Sequence, residues 1–467
     1  MNETARTPLI EQLAPRIWRH FADLLRLAWP VMLSRAGILV MAFCDIAMLG
    51  RYGAGAIGEI NLGVSIFVPL LVVTIGLTSG MVPVVAYAFG AGAWAECGNA
   101  WRRAISLSLV TSTIAALICW QGEALLAAFG QTAEMSARGG AVTRALAPGL
   151  IAQTVYAACA FYLEATRRPL PALVAMIVAN LGNFGLNWLL IWGHWGFPEL
   201  GAVGAALAST IVRFGAAAGM ILYIVTRPRA RAAGVVGPWQ TFWGPGGWAA
   251  GRTMRKLGAS AGLSNGFETI GFAAMTMFAG QLGTLPLDAY SLSHNLLSTL
   301  FMVGLGLAVA SGVRVGIEMG RDRPDEAAFA GWVGLLAVVV VMSTLAVLVV
   351  INRESLAAIY TNDPVIAARA SGLFVLSALV FVPDSAQVVM GQALRSMGDA
   401  WVAVACYIAS FVMLMVPLGW LLVNPLGYDE RALIGTIIAA CLLASALLTL
   451  RFHWLTRHRG RDREPRP

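Results

Sequence analysis

Long apolar runs, each broken by only a few polar residues, recur along the entire chain. A helix needs about 20 such residues to cross the hydrocarbon core of a bilayer. Twelve runs reach that length, near 24–50, 58–86, 104–122, 140–163, 170–193, 201–226, 257–282, 286–316, 332–352, 371–394, 401–424 and 432–452. They predict an all-α integral membrane protein of twelve transmembrane helices, in two lobes of six. The longest polar interruption, 227–256, is rich in Pro, Gly and Trp and divides the runs into equal halves. The predicted organisation is therefore a cytoplasmic segment 1–23, an N-lobe 24–226, a cytoplasmic linker 227–256, a C-lobe 257–452 and a basic tail 453–467. Trp239, Trp243 and Trp248 would hold the linker at the membrane surface; a disordered tether is the alternative. Trp188, Trp192 and Trp195 read as an interfacial belt.

Charge sets the orientation. With the N-terminus in the cytoplasm, 24 Arg and Lys residues fall on the cytoplasmic side and 6 on the other. That positive-inside bias places both termini in the cytoplasm and the chain in the inner, or plasma, membrane. No cleavable leader is expected, because the first apolar run is too long for one. Arg35 and Arg213 remain inside predicted spans.

Composition agrees with this topology. Of 467 residues 58% are hydrophobic and only 12% charged, too few charges to cover a soluble protein of this size; the mean hydropathy is +0.74. The net charge of +8 comes from short runs between apolar segments, which argues against a nucleic-acid partner. The 6 cysteines form no CxxC pair, so no metal or disulfide framework is indicated.

The halves also repeat. An offset of 230 positions aligns Leu27 to Gly90 with the second half without a gap, pairing Leu33 with Leu263, Ser34 with Ser264, Gly50 with Gly280 and Gly76 with Gly306. Glycines carry the match, since in membrane helices they mark close packing and turns. With six spans per half, both halves start on the same side, so the pseudo-two-fold axis would run along the membrane normal. Two such lobes would enclose a cleft able to open to either face.

Several motifs recur in a particular order. They are Leu27-Ala28-Trp29-Pro30-Val31 followed by Asp45; Pro83-Val84-Val85-Ala86 with Gly90-Ala91-Gly92; and Asn183-Phe184-Gly185-Leu186-Asn187-Trp188. Further on come Arg314-Val315-Gly316, Tyr360-Thr361-Asn362-Asp363-Pro364, Asp384-x-x-Gln387-Val388 and Leu394-Arg395-x-x-Gly398-Asp399. In order and spacing this set resembles the MATE family of multidrug and toxic-compound exporters, in particular its NorM-like branch, over nearly the whole chain. The resemblance implies a secondary antiporter that exports organic cations or related toxic compounds in exchange for H+ or Na+ by alternating access. It implies no other cofactor, a small and cationic substrate, and a monomer in the bilayer.

Asp45, Glu268 and Asp384 are acids set well inside predicted spans, away from their ends. A mid-membrane carboxylate costs about 2.5–3.5 kcal/mol, against about 0.3–0.6 recovered per leucine; such residues face partners or water and mark transport paths. Asn183 and Asn187 are one helical turn apart and share a face. The resemblance adds Ser209, where the family commonly has Thr, and together with Asp45 these would line a polar pocket in the N-lobe. It also implies that Glu268 and Asp384 form the cation and drug counter-charge site of the C-lobe. Their repeat partners, Ile38 and Tyr156, carry no such charge. Burial favours the neutral form of a carboxyl group, which suits a proton carrier. Interhelical hydrogen bonding without transport is the plainer alternative for each polar group.

The chain departs from the NorM pattern at Val380, where Tyr is frequent, and at Ala289-Tyr290-Ser291, where many members read Ala-His-Gln. His294 lies nearby as a titratable or merely packed residue. Arg35 would pair with a carboxylate across the cleft or snorkel to the surface. No Walker A, H-E-x-x-H or G-x-S-x-G motif occurs, which argues against ATP-driven transport and against an enzyme. The runner-up reading is a flippase-like exporter of lipid-linked or polysaccharide precursors. Such proteins usually have a cationic cleft, and the three acids weigh against one.

Overall fold

The computed structural model describes residues 9–53, 55–228, 233–236 and 246–461. Trp239 and Trp243 of the expected surface linker, and Arg6, Arg229, Arg231, Arg463 and Arg466 of the charge count, lie outside these residues. Among the described residues the chain is helical, without a strand. The first half comprises α1 (Leu9–Tyr52), α2 (Ala56–Ser79), α3 (Met81–Gly90), α4 (Trp94–Trp120), α5 (Gly122–Ala128), α6 (Ala133–Ala165), α7 (Leu170–Trp192) and α8 (Gly201–Val225). The second comprises α9 (Gly247–Ala250), α10 (Arg252–Gln281), α11 (Thr284–Gly320), α12 (Pro324–Ile351), α13 (Arg353–Tyr360), α14 (Pro364–Ser396), α15 (Trp401–Tyr407), α16 (Val416–Val423) and α17 (Glu430–Arg461).

Among the described residues eleven helical stretches are long and apolar enough to cross a membrane, and each overlaps a predicted span. The twelfth predicted span, 257–282, forms α10 but is less apolar, because Ser260, Ser264, Asn265, Glu268 and Thr269 interrupt it. Helices overrun the predicted spans at their ends; α4 begins at Trp94 rather than near 104. Hydropathy marks the part suited to lipid, whereas backbone hydrogen bonding continues through the flanking charges.

Two sequence motifs turn out to be helix punctuation. Asp363 caps α14, its Oδ1 accepting from the backbone N–H of Val365 at 2.8 Å and of Ile366 at 3.2 Å, and Pro364 takes the first helical position where its missing N–H costs nothing. Gly398 turns the chain at φ +85°, a conformation open to glycine. Asp399 then accepts from Arg451 Nε of α17 at 2.7 Å. At the other end of a span, Trp188 packs edge-on to Trp195 and tilts over His194, with ring centroids 5.5 and 4.1 Å apart.

The chain forms two compact units. One holds Met1–Met32, Phe272–Asp399 and Ala409–Pro467; the other holds Leu33–Gly271 and Ala400–Ile408. The division therefore runs through α1 and α10. In the first unit Gly306 of α11 lies directly on Met32, leaving no space for a Cβ, and Arg16 pairs with Glu326 at 2.7 Å. Arg314 donates to the backbone carbonyl of His20. In the second unit Gly76 of α2 and Gly80, which joins α2 to α3, cross Gly262 and Gly258 of α10, backbone against backbone. The 230-residue repeat maps Gly76 onto Gly306 and Met32 onto Gly262, so the two crossings are repeat-related versions of one contact. Elsewhere in the second unit Leu49, Phe67, Val142, Leu146 and Leu150 form a buried core joining α1, α2 and α6. Gly204 presses on the Leu190 carbonyl, which draws α7 and α8 into a tight antiparallel pair.

Candidate functional site

That close approach of α7 and α8 sets Ser209 opposite Asn183, and α1 brings Asp45 to both. Asp45 Oδ1 accepts from Asn187 Nδ2 at 2.6 Å, and Oδ2 accepts from the Ser209 hydroxyl at 2.8 Å. Asn183 Nδ2 donates to Ser209 Oγ at 3.1 Å, and Asn187 Nδ2 donates also to Asn183 Oδ1 at 3.2 Å. Four side chains from three helices thus close a ring, and all four are buried. They are the four residues expected for the first lobe. A carboxylate left without partners in this setting would be strongly unfavourable; each donor to a charged oxygen contributes roughly 1.5–3 kcal/mol.

One further residue belongs here. Arg213 lies one turn beyond Ser209 on α8. Its guanidinium sits over the Phe67 ring, 4.9 Å from the centroid, and its charge interacts with that of Asp45. Gly149 of α6 packs tightly on Thr210 of α8, where a Cβ would come within 2.7 Å of the Thr210 hydroxyl oxygen. Arg213 Nη1 is buried and has no hydrogen-bond partner among the described residues. Sequence reasoning placed Arg213 inside a span and gave it no role. The available signal was its spacing of four from Ser209.

Arg35 pairs within its own unit. Its Nη2 reaches both Glu164 oxygens, at 3.2 and 3.3 Å, and its guanidinium covers Phe161 at 5.0 Å. It neither snorkels nor meets one of the three acids named from sequence. Glu164 is a further acid on an apolar helix, almost fully buried, and it lies just past the predicted end of the 140–163 run because α6 continues to Ala165. Arg35 is therefore neutralised on α6 and leaves Asp45 to its own ring.

In the other unit Asp384 is buried on α14. Its Oδ1 accepts from Gln387 Nε2 at 3.0 Å and lies 3.6 Å from the Cys441 thiol of α17. His294 of α11 lies between Phe272 and Tyr290, with centroids 5.6 and 6.1 Å away. Glu268 is on the part of α10 that belongs to the second unit, so neither unit contains both Glu268 and Asp384. Chemically, the ring around Asp45 can take up and give off a proton with local rearrangement of its donors, and the acids of the second half can offer negative charge to a cation.

The family model described as MatE matches residues 30–189 and again 261–421, two copies in the register of the internal repeat. The chain is 33% identical over 465 residues to a "Probable multidrug resistance protein NorM" of Caulobacter vibrioides, covering 97% of this chain and 96% of that one. It is 29% identical over 461 residues to a "Multidrug resistance protein NorM" of Vibrio vulnificus, covering 96% and 98%. Its fold matches the crystal structure of the eukaryotic MATE transporter AtDTX14 with a TM-score of 0.85 at 18% identity, over 95% of this chain and 99% of that one.

Proposed function

This chain belongs to the MatE family of multidrug efflux transporters, and on that premise we propose that it is a proton-coupled antiporter that exports small organic cations by alternating access. The observation that carries the coupling ion is the ring around Asp45. Both carboxylate oxygens already receive an N–H or O–H donor, whereas Na+ would need those oxygens turned toward itself as ligands. Arg213, whose charge acts on Asp45, repels any cation added there, a proton included, and so does not by itself choose the ion. A proton avoids the ligand obstacle: it binds one carboxylate oxygen covalently, and the displaced Asn or Ser donor turns to another partner.

The cycle then runs as exchange. Asp45 takes a proton from the outside, the ring loosens, and the outward state releases its cargo. Deprotonation on the cytoplasmic side resets it. Glu268 and Asp384 supply the negative charge that attracts the cationic substrate. In this reading the protein is a multi-pass inner-membrane monomer with both termini in the cytoplasm, as its positive-inside pattern supports.

Dye uptake into everted vesicles under separate gradients tests the reading. An imposed H+ gradient should drive uptake and a Na+ gradient should not. Uptake driven equally by Na+ alone contradicts proton coupling, and an effect of neither gradient favours the flippase-like alternative.

A further inference from the structure

A groove of about 680 Å³ runs along the α7–α8 pair. Leu170, Val174 and Val178 form one wall, Ile211 and Tyr223 contribute to the other, and Gly215 and Gly219 lie along its floor. Nothing lies within 4 Å of where a Cβ on either glycine would stand; the groove exists because those side chains are absent. Apart from the Tyr223 hydroxyl its lining carries no polar side chain, and Val178 is 62% exposed. Such a surface belongs in hydrocarbon.

Two features give the groove a direction and an occupant. First, it has the depth of one leaflet. Its α7 wall runs from Leu170 to Gly182, about 18 Å at 1.5 Å per residue, against about 15 Å for half of a hydrocarbon core. It ends beside Asn183 and Ser209, at the level of the Asp45 ring. Second, its other end is basic. Arg167 and Arg168 precede α7 and have exposed side chains. Arg227 follows α8, its guanidinium 5.1 Å from the centroid of the Tyr223 ring that lines the groove, and it donates to the Tyr223 hydroxyl.

We propose that the α7–α8 groove binds one anionic phospholipid from the leaflet on the arginine-rich side, with an acyl chain along Gly215 and Gly219 and the phosphate against Arg168 and Arg227. Basic pockets at the cytoplasmic ends of membrane helices select anionic headgroups in this way. The arginines exclude a cationic drug as the occupant, and the length and apolarity of the groove exclude a bare phosphate. The groove lies beside the Asp45 ring but is lined by none of its four polar residues, so its test is independent of the coupling ion.

The test uses the detergent-purified full chain. Dioleoylphosphatidylglycerol should raise the thermal unfolding midpoint several degrees more than dioleoylphosphatidylcholine, and native mass spectrometry should show one phosphatidylglycerol retained per chain. R168Q/R227Q should abolish the difference between the two lipids. G215L/G219L should fill the groove and lose the retained lipid; if that variant fails to fold, R168Q/R227Q decides alone. Equal response to both lipids, an undiminished preference in R168Q/R227Q, or an equal shift with glycerol phosphate alone overturns the proposal.

Discussion

Asn187 donates to Asp45 at 2.6 Å, and it does so from a position one helical turn beyond Asn183, whose side-chain oxygen accepts from the same amide. The carboxylate of α1 is thereby tied to a face of α7 and, through Ser209, to α8. Removing one donor to a charged oxygen costs about 1.5–3 kcal/mol, on the order of ten- to a hundredfold in an equilibrium. Asn187→Ala and Ser209→Ala should each lower proton-driven efflux by about tenfold or more at unchanged membrane abundance. Ser209→Thr keeps the hydroxyl and should stay near wild type. Equal loss in the Ala and Thr variants, measured by dye efflux, would mean that the hydroxyl is not what matters.

Arg35 and Glu164 form a structural pair rather than a transport pair. Breaking a buried ion pair by removing one partner leaves the other charge uncompensated, at a cost of about 3–5 kcal/mol. Glu164→Gln alone should therefore lower the thermal unfolding midpoint strongly, whereas Arg35→Met with Glu164→Leu should recover most of it. Thermal unfolding of the two purified variants checks this; a double variant no better than the single one contradicts the assignment.

Arg213 is expected to help keep metal cations from the Asp45 ring, by a repulsion that also acts on a proton. Arg213→Gln removes the positive charge that acts on Asp45 while keeping a polar, though shorter, side chain. Added Na+ should leave efflux by the wild type unchanged and should stimulate or inhibit efflux by the variant. Na+ insensitivity in both would remove Arg213 from the account of ion choice.

The glycine crossings predict a contrast in tolerance. A Cβ at Gly80 would meet the backbone of Gly258, which cannot give way, whereas nothing lies near one at Gly185. Overpacking of this kind costs about 1–3 kcal/mol or more. Gly80→Leu should reduce folded yield and thermal stability, and Gly185→Leu should not, as fluorescence-detected size exclusion would report.

Much of this was legible in the chain itself. Twelve apolar runs were plain because lipid demands length and apolarity, and eleven of them satisfy both in the structure. Asp45, Asn183 and Asn187 stood out because polar side chains in apolar helices need partners, and the two amides showed their shared face by spacing alone. Ser209 came only from the family resemblance, since serines in membrane helices often bond to their own backbone. Glu164 was hidden by hydropathy, which ended the run one residue short of it. Arg213 was visible, yet its relation to Asp45 depends on how α1 and α8 pack, and that does not repeat along the sequence. The division of α1 and α10 between compact units was hidden for the same reason: Gly76, Gly262 and Gly306 announce close packing without saying against what.

The central claim is that Asp45 carries the proton exchanged for substrate, and the proton itself can be counted. Adding a cationic dye to purified protein in weakly buffered solution, with a pH indicator, reports protons released on binding. The account predicts release that is present in the wild type, preserved in Ser209→Thr and lost in Asp45→Asn, although Asp45→Asn still binds dye. Undiminished proton release from Asp45→Asn would contradict it.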